Sequence, residues 1–378
     1  MTEDHQESEV VSLAERRARI EQAAARARAQ QQSESEPGPV PTPYVTYALI
    51  AINALVWLVM VGLGVDYYEP SGEALLQWGG NLGLETTNGQ WWRLLSAMFL
   101  HAGLIHLGFN LYFMWVVGRA CEQIFSPLPY AVIYLCTGLL ASLVSVAWQP
   151  AIVSVGASGA LFGIFGAFVG FTIRRRASLP EAFVTSIRRN ALILVGINIA
   201  IGIAVPGIDL AAHIGGLLAG LGMGYLLSKL AEKPVSDARA ARALKIKATG
   251  VSAAVALAIL VGGALALPRW DNPLPTLREA GARYDEVVDA FRVAGDDRAA
   301  QIEVLEEVAI PAMDEILTEL AELDSMPALA SDKVERWTRH YELRREAFAV
   351  ELDGLRAGDP ELIAKAEDLH ADALAALE

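Results

Sequence analysis

The stretch Gly156-Ala157-Ser158-Gly159-Ala160-Leu161-Phe162-Gly163 opens an apolar run that carries no charge through Ile173, long enough to be a membrane helix. A serine flanked by glycines at the mouth of such a run is an unusual place for a hydroxyl. The glycines remove side-chain bulk, so another backbone and a substrate can come close to the serine oxygen. That access is what a nucleophile needs. A lone serine in a membrane span more often caps or packs a helix, so the weight falls on what the rest of the chain supplies.

The chain has 378 residues, of which 53% are hydrophobic, and its mean hydropathy is positive. That excludes an ordinary soluble domain. Uncharged stretches at about 45–64, 97–118, 128–148, 152–173, 190–208, 210–228 and 248–267 approach or reach the roughly 17 to 25 residues that cross a bilayer. The expected fold class is all-α: a polytopic membrane helix bundle with a six-helix core, a seventh C-terminal transmembrane helix and a soluble helical C-terminal region. The first run begins near Tyr44 and is long enough to stay in the bilayer, so it is expected to double as the targeting signal, with no secretory signal peptide before it.

The net charge of −14 is unevenly spread. Arg174, Arg175, Arg176, Arg188 and Arg189 fall between the fourth and fifth runs, and Lys229, Lys233, Arg239, Arg242, Lys245 and Lys247 between the sixth and seventh. Both loops are expected in the cytoplasm, which puts the N-terminus inside and the acidic region after Leu267 outside a cell membrane. The expected organisation is a disordered arm with a Pro-rich linker over 1–43, a six-span core over 44–230, a basic cytoplasmic loop over 231–247, the seventh span over 248–267, and an acidic helical region over 268–378. Within the last, helices are expected at about 276–294, 298–323, 332–356 and 360–377, with starts at Ser331-Asp332 and Asp359-Pro360. Leu305, Val308, Met313, Ile316, Leu317 and Leu320 approximate one apolar stripe. This acidic surface reads as a solvated face, with a basic protein partner as the other reading.

Polar groups at membrane depth are costly and mark function by default. His106 and Asn110 are four apart and share a helical face, while His101, about 140° away on an ideal helix, belongs to the entering loop. His213 stands in Ala212-His213-Ile214-Gly215-Gly216, followed by Gly220 and Gly224. Gly159, Gly163, Gly166 and Gly170 on the fourth helix face this glycine stripe, and close backbone approach would bring Ser158 and His213 within hydrogen-bond reach. Phe162, one turn from the serine, would pack against the imidazole. Asp209, four residues before His213, reads as an N-cap for that helix, with an acid assisting His213 as the other reading, and Asn198 reads as an interhelical hydrogen bond. Cys121 and Cys136 read as packing residues, and no metal-binding pattern is present. The loop at 65–96, with Tyr67, Tyr68, Trp78, Trp91, Trp92 and Arg93, is either anchored to headgroups or folded inward.

These parts make a serine hydrolase without an obligatory acid. Ser158 would attack a carbonyl and His213 would carry its proton to the leaving amine. His106, Asn110 and the Ser158 backbone N–H would receive the oxyanion. Trp92-Arg93, His101 with His106 and Asn110, Gly118-Arg119 with Glu122, Gly156-Ala157-Ser158-Gly159, and Ala212 to Gly216 with Gly220 together resemble the rhomboid intramembrane serine proteases over about 44–230. The resemblance implies a Ser158–His213 dyad, an oxyanion site at His106 and Asn110, transmembrane protein substrates in a lipid bilayer, and no cofactor, metal or nucleic acid. The seventh span looks like the added helix of six-plus-one members; the tail lies outside the family pattern. A non-catalytic binder of membrane helices, the alternative, would be expected to lack Ser158 or His213.

Overall fold

The structure is a computed structural model that describes residues 16–25, 41–205, 207–230 and 237–377. Pro206 and the side chain of Asn198 lie outside the described residues, as does most of the expected arm and linker. The chain forms two units, Met1–Pro43 and Tyr44–Glu378. In the first, residues 16–25 are helical.

The second unit is built from helices α1 (Tyr44–Gly62), α2 (Leu104–Phe125, with a π turn at Met114–Gly118), α3 (Pro127–Trp148), α4 (Ser158–Arg175), α5 (Glu181–Ala204), α6 (Leu210–Leu230) and α7 (Ala238–Ala266). A charged set follows, comprising α8 (Pro273–Ala294), α9 (Arg298–Val304, continuing through a π turn at Leu305–Ala309 into Ile310–Ala321), α10 (Ala328–Ala357) and α11 (Pro360–Ala375). No strand occurs among the described residues, only an isolated antiparallel bridge between Asn81 and Ser154. Five helices, α1, α2, α3, α6 and α7, are long and apolar enough to cross a membrane. The fourth and fifth expected runs are helical too, but α4 is short, glycine-rich and ends in Arg174-Arg175, and α5 starts early and carries Glu181, Arg188 and Arg189.

Besides α4, which starts at Ser158 rather than near 152, and α5, which starts at Glu181 rather than near 190, three boundaries differ from the sequence reading. The second span starts at Leu104 rather than near 97, because Gly103 at φ +92° turns the chain against the Tyr68 carbonyl while the Leu104 N–H donates to Tyr67 O at 2.9 Å. The basic loop over 231–247 is helical from Ala238 onward. Asp237 caps that end, accepting from Arg239 N and Ala240 N, and the alanine-rich run that follows continues the helix past the apolar segment that hydropathy detects. In the tail, α10 starts at Ala328 rather than at Ser331-Asp332, after an extended Pro327; Ser331 lies within the helix and donates to Glu335.

The membrane bundle is organised on α3, α4 and α6. Ala157, Ala160, Leu161, Ile164 and Ala167 are buried with Ile133 and Tyr134 in one core. Along the α4–α6 seam, a Cβ placed on Gly216, Gly220 or Gly224 would fall on the carbonyl oxygen of Gly159, Gly163 or Ala167 respectively. Only glycine allows backbones this close. α1 is tied in through Glu122 of α2, whose carboxylate accepts from Val45 N at 3.0 Å, Thr46 N at 2.8 Å and Thr46 Oγ1 at 2.7 Å. An acid at a helix N-terminus satisfies amides that have no partner within the helix.

The tail helices enclose their own core of Ala280, Val287, Leu305, Met313, Ile316, Tyr341 and Phe348. Of the expected stripe, Leu305, Met313, Ile316 and Leu320 are fully inside, and Val308 and Leu317 pack at its margin. The tail also rests on the loop between α1 and α2. Leu76, Leu82, Leu84 and Ala330 are buried together with Trp270, Leu274 and Met326 packed against them, and Asn88 Nδ2 donates to Trp270 O at 2.7 Å.

Candidate active site

Ser158 is the first residue of α4 and His213 stands in the first turn of α6. Asp209 sets the start of that turn, its Oδ1 accepting from Ala212 N at 2.8 Å and its carbonyl from His213 N at 3.2 Å. The seam of glycines then brings the two helix starts together, and Ser158 Oγ lies 2.7 Å from His213 Nε2. Phe162, one turn along α4, stacks on the imidazole with ring centroids 4.6 Å apart and planes at 24°. Phe113 of α2 lies parallel to Phe162 at 6.1 Å. The imidazole is thus held at one nitrogen and across one face.

His106, on α2, approaches the same point, and Asn110 lies one turn further along that helix. A Cβ on Gly156 would sit 2.8 Å from His106 Cε1, 2.9 Å from His106 Nε2 and 3.8 Å from Ser158 Oγ. Gly156, at φ +123°, therefore has neither the space nor the backbone geometry for a side chain. His106 Nδ1 accepts from the Ala102 N–H at 3.2 Å; since an amide only donates, the ring proton resides on Nε2, the atom beside Gly156. Asn110 is buried, and its Nδ2 donates to His106 O at 2.9 Å. His101 is buried edge-on to His106 at 5.2 Å, outside α2. Of the expected supporting residues, Gly156 borders the dyad, while Gly159 and Gly216 face each other across the seam.

Several features had no sequence signal of comparable strength. Ser154 Oγ donates to Asp209 Oδ2 at 2.6 Å, so the strand-like segment before Ser158 is tied to the start of α6. The backbones of Asn81 and Ser154 exchange hydrogen bonds at 2.9 and 2.8 Å, and Gly156 N donates to Ala97 O at 2.8 Å. A cavity of about 20 Å³ lies behind the serine, lined by Ser142, Ser154, Ser158 and Asp209 among others, with room for about one water. Arg93 settles the two readings of its loop. Its guanidinium is buried, donating to Leu76 O at 2.7 Å, Gly80 O at 2.9 Å and Gln90 Oε1 at 2.8 Å, so the loop folds inward around it while Trp92 stays exposed.

Comparison with known proteins finds similarity over the segment that holds these residues. The model of the Rhomboid domain matches residues 88–230. The chain is 35% identical over 178 residues to rhomboid protease GluP of Bacillus subtilis, covering 47% of this chain and 34% of GluP. It is 40% identical over 141 residues to RHOMBOID-like protein 2 of Arabidopsis thaliana, covering 36% of this chain and 43% of that protein. These matches span less than half the length of either relative. Rhomboid protease AarA of Providencia stuartii is 30% identical over 212 residues, which cover 48% of this chain and 75% of AarA. With three quarters of a rhomboid protein matched at that identity, the chain belongs to the rhomboid family.

Proposed function

We propose that the protein is an intramembrane serine endopeptidase that cleaves membrane-spanning protein substrates by a dyad of Ser158 and His213. The observation that carries this reading is the 2.7 Å contact between Ser158 Oγ and His213 Nε2 at the start of two helices whose seam admits only glycine. With its own proton on Nδ1, His213 accepts the Ser158 proton at Nε2 as Oγ attacks the peptide carbonyl. It then delivers that proton to the leaving amine. A water, for which the cavity behind Ser158 has space, attacks the acyl-enzyme in the second half.

The tetrahedral oxyanion would receive the His106 Nε2–H, the second N–H of Asn110 Nδ2 and the Ser158 backbone N–H. Donors fixed before the reaction act strongly in a site from which bulk water is withdrawn. Asp209, engaged with Ala212 and Ser154, serves as a cap in this mechanism. The arginine-rich ends of α4 and α5 would face the cytoplasm, which puts the dyad and the docked tail on the outer side. Reconstitution with a single-span substrate in liposomes, with product mapping by mass spectrometry, tests the proposal. Wild type should cut near the outer end of the substrate helix, His106→Ala and Asn110→Ala should each lose roughly 10²–10³-fold, and Ser158→Ala should not cut. Cleavage by Ser158→Ala at the wild-type rate would overturn the mechanism, and binding without cleavage by wild type would favour a helix binder.

A further inference from the structure

Ser158 and Arg175 stand at opposite ends of α4, about 25 Å apart along the helix axis. At the Arg175 end, the ends of α2, α4 and α6 and the beginnings of α3 and α7 surround a cavity of about 730 Å³. Its polar lining consists of Arg175, Arg242, Lys245, Ser126 and Ser228, with no carboxylate among the described lining residues. Leu128, Phe171, Leu227 and Ile246 supply apolar wall, and Leu128 and Ile246 are half-exposed on the flank of the bundle.

Three cations around one cavity repel one another unless an anion joins them. A cation at the end of α4 is expected from the helix dipole alone, because terminal carbonyls attract it. That account does not cover the set. The Nε of Arg175 is buried without a hydrogen-bond partner among the described residues, so it is not spent on a terminal carbonyl. Arg242 and Lys245 lie toward the N-terminal end of α7, where its own dipole offers cations nothing. Lys245 is moreover held in place, its Nζ donating to Ser126 Oγ at 2.8 Å. Ser126 has φ +76° and ψ 160°, a conformation that strains a non-glycine residue.

We infer that this cavity binds the phosphate-bearing headgroup of an anionic phospholipid. The phosphate sits among Arg175, Arg242 and Lys245, with the two serine hydroxyls as further partners, and the acyl chains leave along Leu128 and Ile246 into the bilayer. Basic pockets between membrane helices bind lipid headgroups in this way. A free phosphate shares the charge but has no use for the apolar flank.

The test uses the full chain, delipidated in detergent and titrated with dioleoyl phosphatidylglycerol, dioleoyl phosphatidylcholine and glycerol 3-phosphate, with occupancy read by native mass spectrometry. Phosphatidylglycerol should bind and phosphatidylcholine should not. Binding should weaken roughly fivefold in Arg242→Gln and by on the order of a hundredfold in Arg175→Gln/Arg242→Gln/Lys245→Gln, at about one such factor per charge. Arg188→Gln/Arg189→Gln, which removes two charges from the same end outside the cavity, should leave binding unchanged. Arg242 is exposed, so its single variant answers the question even if the triple variant does not fold. Equal binding of phosphatidylcholine, equal weakening by Arg188→Gln/Arg189→Gln, an unaltered affinity in Arg242→Gln, or glycerol 3-phosphate binding as tightly as the lipid would each overturn the assignment.

Discussion

Gly216→Ala tests whether the α4–α6 seam sets the dyad. The added Cβ would fall on the Gly159 carbonyl oxygen, a backbone atom that no rotamer change can move aside. Restoring an ordinary contact requires α6 to retreat by more than about 1 Å. Gly159 adjoins Ser158 and Gly216 lies about one turn from His213, so most of that retreat is passed to the dyad. Their 2.7 Å contact would then open to roughly 3.5 Å or more, beyond a useful hydrogen bond. A misplacement of that size costs about 10²-fold in rate, and overpacking costs about 1–3 kcal/mol in stability. The assay is the initial rate of substrate cleavage in liposomes beside thermal unfolding in detergent. Gly222→Ala, on the same helix with nothing within 4 Å of the new Cβ, should keep wild-type activity. Gly224→Ala meets the Ala167 carbonyl about 12 Å further along the helix, and should lose stability with a smaller loss of rate. Wild-type rate and wild-type midpoint in Gly216→Ala would refute the reasoning.

Glu122→Gln keeps the shape but removes the charge from a carboxylate that accepts three hydrogen bonds. Its unfolding should be easier by about 1–3 kcal/mol, and an unchanged midpoint would contradict the tie to α1. Leu274→Asp should release the tail from the Gly72–Thr86 loop, read as faster amide exchange there; Arg278→Ala, which breaks an exposed pair with Glu73 at 3.3 Å, should change exchange little. His340 Nδ1 donates to Ala373 O at 2.6 Å amid Tyr284, Trp337 and Tyr341, and burial, helped by the nearby Arg344, holds its pKa below the ordinary 6.5. The unfolded ring binds a proton that the folded one does not, so the α10–α11 contact is at full strength above about pH 6.5 and weakens as pH falls below it. The protection of α11 amides, taken as the ratio of intrinsic to observed exchange rate, should therefore fall between pH 7.5 and 5.5, more steeply in wild type than in His340→Asn; equal slopes would assign the effect elsewhere.

Hydropathy and glycine spacing made the bundle legible, because both are properties of single helices. The seam that places Ser158 near His213 could be anticipated since its α6 members, Gly216, Gly220 and Gly224, all lack a side chain. What hydropathy could not locate were boundaries set by polar or conformational detail. Gly103 delays α2 through its positive φ, and Asp237 starts α7 well before the apolar segment. Long-range polar contacts were equally silent. Arg93 next to Trp92 looks like a headgroup anchor until the carbonyls of Leu76 and Gly80 are seen to surround it, and nothing in Leu274 or Trp270 announces that their partners lie in the loop between α1 and α2. The spacing of His106 and Asn110 gives a shared helical face, yet the hydrogen bond from Asn110 to His106 O depends on a rotamer that sequence does not encode.

The most direct measurement of the central claim is labelling of the purified chain by a fluorophosphonate probe, which reacts only with an activated serine, in wild type, Ser158→Ala and His213→Ala. The account predicts labelling of wild type at Ser158 alone, none in Ser158→Ala, and at most a trace in His213→Ala, whose serine has lost its base. Labelling of His213→Ala at the wild-type rate, or of a serine other than Ser158, would contradict it.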